Sequence, residues 1–490
     1  MKTLNLLALD NGASNGRGIL GQFDGKRITL SEVHRYENNF IQQGDMLYWD
    51  SDTLFSNMQT CITNSVRQYG EVHAFGIDTW GVDYGLLDKS GTLINKPRCY
   101  RHAIQADAEL VWDKVPQRTL FERTGIASLI FNTVYQLFRR VRETDRELAN
   151  ARSLLLMPDL FGYLFTGELA SEFTNVSTMM MYNPTKKDWD WETIEALNIP
   201  KHIFTKIELP GMIRGKLTAS LSQKLGINQI PLAVVGTHDT ASAVAAIPGS
   251  GSFAFLSSGT WSLFGIETDS PCINDAVFKS NFSNEGTVQG GFRPLKNIMG
   301  LWLIQECRKD WIKEEKEITW DDIVNAAEME KPFRSIIDPD YSEFFGSGNM
   351  VGRIQKYCAE TNQPVPETIG QIARCIYESL ALKYRWAFER LEEIKGERID
   401  SLNIVGGGIQ NKLLNRLVAD SINRTVITGP IEGTGMGNLL LQAVALGEIK
   451  NIEEVREVVR VSVKTEIYEP RHLQIWDDAY ERLLKLMEKN

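Results

Sequence analysis

Apolar and polar positions along the chain alternate between short strand-like runs and longer helical periods, the rhythm of an α/β protein. Leu4 to Leu9 is an apolar run that stops at Asp10 and passes into a stretch with glycines at 12, 16 and 18. Gly18 to Phe23 and Arg27 to Tyr36 read as strands about an Asp24-Gly25 turn. Ser51 to Tyr69 has a helical period, and Val72 to Asp78 returns as strand. Pro231 to Ile247 predicts a strand, a loop and an alanine-rich helix. Ser252 to Glu267 then repeats the opening in outline, with two apolar strands about Ser257-Ser258-Gly259-Thr260. Thr368 to Gly396 predicts a long helix closed by its glycine. Ser401 to Ser421 follows as strand, triple-glycine turn and helix, and Arg424 to Pro430 and Gly435 to Gly447 add another strand and helix. The doubling predicts two lobes, residues 1–246 and 247–490, divided near Ile247-Pro248-Gly249.

Charge and cysteine usage narrow the function. The 53 Lys+Arg against 63 Asp+Glu give a net charge of -10 with no basic cluster, which argues against a nucleic-acid partner. The opening apolar run is interrupted by Asp10 too soon for a secretory signal, and no run approaches a membrane span, so a cytoplasmic location is expected. Cys61, Cys99, Cys272, Cys307, Cys358 and Cys375 lack zinc or dithiol spacing and are expected as buried thiols. Cys358 and Cys375 are the pair that could meet across a turn.

Gly16, Gly18 and Gly21 have the spacing of a dinucleotide fingerprint, with Glu32 at a distance suited to a ribose. That fingerprint must open a helix, because the pyrophosphate rests on a helix N-terminus. Here the glycines run into Ile19 to Phe23 and the Asp24-Gly25 turn, which leaves no room for one. A P-loop is also lacking, since Gly211 to Leu217 has the wrong spacing. A phosphate-cradling hairpin remains. One such loop is an ordinary tight turn, but Asp10 to Arg17, Ser257 to Thr260 and Gly406 to Gly408 each end an apolar strand in small residues.

The stretches Asp10 to Arg17, Gly76 to Asp83, Thr237 to Val244, Leu256 to Leu263, Leu295 to Trp302 and Ile404 to Asn411 resemble, in order, the motifs of the FGGY carbohydrate kinases. The resemblance covers nearly the whole chain. It implies the two-lobed ribonuclease H-like, actin-like ATPase fold of the hexokinase and actin superfamily, with the active site in the cleft between lobes. It further implies transfer of the ATP γ-phosphoryl group to a primary hydroxyl of a ketose, L-rhamnulose foremost, with L-fuculose, xylulose and related sugars as alternatives.

Carried onto this sequence, the resemblance makes Asp239 the general base and Asp10 the Mg²⁺ ligand. Ala13, Ser14, Asn15, Gly16, Arg17, Thr260, Gln305 and Gly407 become ATP contacts, and Gly81, His238, Asp239, Thr240 and Asn297 sugar contacts. By position alone Asp239 lies where an ordinary N-cap belongs, and a helix N-terminus would keep its carboxylate ionised. Trp80 suits either an apolar wall for the sugar or the core. The chain departs from the family at His102, where Tyr-Arg-Asp is usual, and at Asn11 and Asn15, which puts the identity of the ketose in question. ATP, Mg²⁺ and a small ketose are the expected partners of a monomer or homodimer. Two other classes fit parts of the pattern. A nicotinamide-dependent oxidoreductase would use the glycine spacing, and a nucleotide-gated binding protein would hold ATP without sugar-dependent ADP release.

Overall fold

The computed structural model of the chain describes residues 3–314, 317–471 and 474–488. They form two compact units, one of residues 1–246, 267–294 and 433–463, the other of 247–266, 295–432 and 464–490. The chain first changes unit after Ala246, beside Ile247-Pro248-Gly249, but 267–294 and 433–463 return to the first unit. The uninterrupted halves read from the sequence do not contain that return.

In the first unit β1 (Leu4–Asn11), β2 (Asn15–Phe23) and β3 (Ile28–Glu37) form an antiparallel meander. The helix α1 (Ser51–Tyr69) then crosses over to β4 (Ala74–Thr79), parallel to β1. The strands β5 (Met212–Lys216), at the edge, and β6 (Pro231–Val234) complete the order β5-β6-β4-β1-β2-β3, followed by the helix α2 (Asp239–Ala245). Side chains on a strand point alternately to its two faces. In β1, Leu7 and Leu9 meet Leu54, Met58 and Ile62 of α1, while Leu6 and Ala8 meet Ala241 and Ala245 of α2 and Leu439 and Leu440 of the Gly433–Ala445 helix. Both faces are covered, so the strand reads as a continuous apolar run. This apolar face explains why 433–463 belong here: Met436, Val455 and Val459 enter the same core.

The second unit has the same strand logic. β7 (Phe253–Ser258) and β8 (Trp261–Gly265) make a hairpin, β8 pairs antiparallel with the Leu295–Met299 part of β9 (Phe292–Met299), and β10 (Ser401–Val405) lies parallel to β7. β11 (Thr425–Thr428) is parallel to β10, and β12 (Glu466–Tyr468) closes the order β9-β8-β7-β10-β11-β12 antiparallel. The sequence of antiparallel and parallel pairings is that of the first sheet, as the doubled pattern predicts. The long helix α3 (Ile369–Lys395) has Thr368 as N-cap, its side chain accepting from Gln371 N–H, and ends at Gly396 with φ 73°.

Three local expectations change. The loop after β1 is only Gly12 to Ser14, because Asp10 and Asn11 belong to β1 and Asn15, Gly16 and Arg17 to β2. Gly16 and Gly18 therefore serve packing: a Cβ would fall 2.3 Å from the Tyr36 ring at Gly16 and 2.7 Å from Cys61 at Gly18. No helix follows them, and Glu32 pairs with Arg35 at the surface, so the dinucleotide reading is removed. All six cysteines are free thiols, Cys358 and Cys375 included; five are buried as expected, but Cys272 is half-buried. Among the described residues no helix is long and apolar enough to cross a membrane.

Candidate active site

In the first unit the carboxylates gather where parallel strands end. Register places Asp10 of β1 beside Asp78 of β4, and Thr79 N–H bonds the Thr237 carbonyl at 2.9 Å, bringing the chain before α2 alongside. Asp10 is 6% exposed and Asp78 wholly buried. Arg17, opposite Asp10 in the β1–β2 hairpin, puts Nε and a terminal nitrogen each 2.9 Å from Asp10 Oδ2. In this structure the guanidinium expected on a phosphate thus rests on the expected metal ligand. Asn438 donates to Asp78 Oδ2 at 2.5 Å, whereas Asp78 Oδ1 is buried and has no donor. Burial, and then the charge of Asp10, hold the Asp78 carboxyl well above the usual carboxylate range.

Asp239 is the first residue of α2, and His238 occupies the N-cap without capping through its side chain. The N-cap expected at Asp239 is thus displaced by one residue: Asp239 Oδ1 accepts from the neighbouring Thr240 N–H at 2.6 Å and Thr240 Oγ1 at 3.1 Å. The expected ionising influence of the helix start is also outweighed. Burial, with a contribution from the charge of Asp10, raises the Asp239 carboxyl, although His238 and Thr240 oppose the shift. About a third of the Asp239 side chain (31%) stays open to solvent, so it remains within reach of a ligand. Among the described residues Arg17 puts its guanidinium on Asp10, while Asp78 Oδ1 is left without a donor.

The strand-to-helix loop is held from below by Glu172, a buried residue the sequence reading did not single out. Glu172 Oε2 accepts from Thr237 N–H at 3.1 Å, Thr237 Oγ1 at 2.7 Å and Thr174 Oγ1 at 2.6 Å. Thr174 Oγ1 in turn accepts from His238 N–H at 3.2 Å. The His238 ring meets two further unpredicted groups, Glu285 and Arg293. Gly81 lies against Thr178, which would obstruct a Cβ at 2.9 Å, and Thr178 Oγ1 accepts from Val82 N–H.

Asp83, in the same turn, is a buried carboxylate whose hydrogen bonds among the described residues come from uncharged donors. Its Oδ2 accepts from Trp49 Nε1 at 2.6 Å, Trp80 Nε1 at 3.0 Å and Tyr100 N–H at 3.2 Å, and Oδ1 from Gln136 at 3.3 Å. Trp80 is therefore anchored in the core, its ring 4.2 Å from that of Trp49. Burial outweighs the four donors and pushes the Asp83 carboxyl up to about 7. A raised folded-state value favours the protonated form, so the stability it contributes is whole below the ordinary value of 3.8 and lost as pH rises through about 7. That window amounts to roughly 4 kcal/mol at most. Thermal midpoints of the wild type relative to Asp83→Asn are expected to fall as pH rises from 5 to 8 (about the span of that window), and the indole emission of Trp49 and Trp80 to shift over the same range. A pH-independent difference would show that Asp83 does not titrate there.

The second unit supplies the other predicted loops, and two of them meet. Gly406, at φ 92°, and Gly408 lie against Ser258 at the end of β7; a Cβ on Gly408 would sit 2.0 Å from Ser258 Oγ. Gly407 between them is exposed with open space over its Cα. Thr260, at the β7–β8 tip, donates its hydroxyl to Gln305 Oε1 at 3.2 Å, and its carbonyl accepts from Gly300 and Trp302 N–H. Gln305 is thus engaged on the Trp302–Lys313 helix, half-buried. Asn297 faces Leu263 across β9 and β8.

Comparison with known proteins places the chain in a family. Residues 5–246 match the N-terminal domain model of the FGGY family of carbohydrate kinases, and residues 254–446 its C-terminal domain model. The chain is 38% identical over 479 residues to a rhamnulokinase of Bacteroides thetaiotaomicron, covering 97% of this chain and 98% of that one. It is 41% identical over 469 residues to a rhamnulokinase of Enterococcus faecalis, covering 94% of each. Among solved structures a ligand-bound xylulose kinase of Lactobacillus acidophilus matches with TM-score 0.81 over 99% of this chain and 98% of that chain, at 16% identity, a likeness of fold. With both domain models matched in order and close relatives along nearly its full length, the chain belongs to the FGGY family of carbohydrate kinases.

Proposed function

We propose that the protein transfers the γ-phosphoryl group of MgATP to the 1-hydroxyl of L-rhamnulose, with Asp239 as general base. The observation that carries this reading is the Asp239 carboxyl, raised above the usual range yet open to a ligand, beside His238 and Thr240. Asp239 accepts the hydroxyl proton, the sugar oxygen forms its bond to the γ-phosphorus, and ADP leaves with the electrons of the broken bond. A raised carboxyl is the stronger base, and in a loose transition state its orientation of the hydroxyl counts most. Gly81, His238, Thr240 and Asn297 are assigned to the sugar, and Ala13 to Arg17, Thr260, Gln305 and Gly407 to the nucleotide. The name borne by the relatives at 36–41% identity supports L-rhamnulose as the ketose.

The donor set suits Mg²⁺. Magnesium takes one or two carboxylates together with phosphate oxygens and keeps several waters. Asp10 and Asp78 offer that, with an acceptor of Asp78 lacking a donor, while no group of three or more ligating side chains is found among the described residues. When bound there, the ion supplies positive charge to the phosphates. Six free thiols accord with work in a reducing compartment.

The test is ADP release with Mg²⁺ across a panel of L-rhamnulose, L-fuculose, xylulose and polyols. Fastest release with L-rhamnulose is expected. Preference for another sugar would reassign the substrate, with His102 the first residue to exchange for aspartate. Release indifferent to every sugar would overturn the kinase reading of this site.

A further inference from the structure

The chain after β4 makes a turn that its own residue preferences oppose. Asp83 N–H donates to the Gly81 carbonyl at 2.9 Å, closing a three-residue ring, and Val82 in the middle stands at φ 68°. A γ-turn with positive φ at its centre is rare and strained. A β-branched side chain at positive φ is an outlier in its own right, because its branches crowd the backbone. The surroundings hold it there. Val82 N–H donates to Thr178 Oγ1 at 3.1 Å, and the Val82 carbonyl accepts from Thr133 Oγ1 at 2.6 Å and Gln136 Nε2 at 3.4 Å. Asn175 Nδ2 donates to the Trp80 carbonyl at 3.4 Å and to the Thr237 carbonyl at 3.3 Å, and Thr79 forms a parallel bridge with His238. The turn therefore lies alongside the loop that carries Asp239. The Asp83 carbonyl accepts from Met157 N–H at 3.1 Å. From the Trp80 carbonyl to the Asp83 carbonyl, Gly81 N–H is the one backbone group without a partner among the described residues. Gly81 is half-buried, between a buried Trp80 and a buried Val82.

We propose that Val82 is a positioning residue: locked at positive φ by Thr178, Thr133 and Gln136, it ties the Gly81 carbonyl into the turn and leaves Gly81 N–H as a fixed donor to a sugar hydroxyl oxygen beside Asp239. The inference rests on the reading of Gly81 as a sugar contact. Backbone N–H groups away from water find an acceptor as a rule, so the one left over in an otherwise satisfied turn points to a ligand. Residues held in sparsely populated backbone regions gather at ligand clamps, where the surroundings over-determine them. A hydroxyl oxygen can accept from the amide while its own proton goes elsewhere. The amide thus orients the sugar without competing for Asp239. No residue assigned to the nucleotide is among the three that lock Val82, so the turn bears on the sugar rather than on ATP.

The test reads the Gly81 amide directly. Trp80-Gly81 is the sole Trp-Gly pair of the chain, so protein labelled with carbon-13 in the Trp carbonyl and nitrogen-15 in Gly gives one amide correlation, that of Gly81. The ketose that releases ADP fastest, expected to be L-rhamnulose, should move this signal and slow its exchange with solvent, whereas ATP without sugar should leave it in place. Val82→Gly frees the turn, and the Gly81 signal is expected to broaden. The KM for the ketose is expected to rise about tenfold, the scale of one hydrogen bond, while the KM for ATP changes less than about threefold. Thr178→Val removes the acceptor of Val82 N–H and is expected to act in the same way, whereas Thr178→Ser keeps the hydroxyl and should retain the low KM. Unfolding midpoints exclude a loss of fold and also test the backbone. At negative φ alanine is the more stabilising residue, and at positive φ glycine is, so Val82→Gly should melt no lower than Val82→Ala. A Gly81 signal indifferent to the ketose, an unchanged ketose KM in Val82→Gly, or Val82→Ala melting above Val82→Gly would overturn the proposal. The midpoints are read without sugar or turnover, so a failure of the kinase reading, seen as sugar-independent ADP release, is distinguished from a failure of this one.

Discussion

Replacing Asp239 with alanine is expected to lower sugar-dependent turnover by roughly 10²-fold or more, the scale of a lost positioned base, while ATP binding stays nearly intact. The expectation follows from where the side chain is anchored. Among the described residues only Thr240 donates to it in hydrogen bonds, and those bonds lie within the first turn of α2, so its removal leaves the Glu172 bonds to Thr237 and Thr174 in place. Because burial raises its carboxyl, the acid limb of kcat/KM is expected above the ordinary carboxylate range, with activity falling as pH drops and the base protonates. Asp239→Asn should lose both rate and limb. Initial rates from ADP release, with nucleotide binding measured calorimetrically, separate the two effects. Turnover equal to wild type would remove Asp239 from the chemistry.

Gly437→Ala is expected to have the largest effect on stability. In an exposed helix that change gains about 1 kcal/mol, since alanine is the better helix former. Here the added Cβ would fall 1.8 Å from the carbonyl oxygen of Ser242 and 2.6 Å from its carbon. Both are backbone atoms of α2, so no rotamer change relieves the clash and the two helices must part. Overpacking of this kind costs about 3 kcal/mol or more. Since α2 begins with Asp239, the displacement reaches the base, and turnover should fall along with the thermal midpoint. A variant with wild-type melting and activity would mean that the helices are not in such close contact.

Much of this was legible from local pattern. The helix from Ser51 to Tyr69 and the glycine-closed helix ending before Gly396 appear at the expected residues, because amphipathic period and end signals are properties of neighbouring positions. Glycines misled where their reason is distant. Gly16 read as a turn former, yet it is a strand residue kept small by Tyr36, and Gly18, read as the start of a strand, is kept small there by Cys61; both partners lie 20 and more residues away along the chain (roughly two or more elements). The displacement of the cap from Asp239 to His238 is a one-residue boundary error of the usual kind. Its raised carboxyl, by contrast, needed knowledge of burial and of Asp10. Glu172, Glu285 and Arg293 carry no local signature, since each owes its role to partners brought by the fold. Asp78 did offer one: a charge inside the otherwise uncharged strand Ala74–Thr79 must have a partner or a task.

The bond from Asn438 to Asp78 joins residues 360 positions apart, and Gln442 of the same helix donates to the Leu7 carbonyl at 2.9 Å. During synthesis, therefore, the ribosome releases β1 and β4 long before it has made the helix that covers them. At about 5–20 residues per second the nascent chain waits tens of seconds with Leu6, Ala8 and Ile19 uncovered on one face. The carboxylate end of the first sheet is thus finished only after translation of the second unit's sheet is largely done, and the interval in between is when chaperones have most to protect.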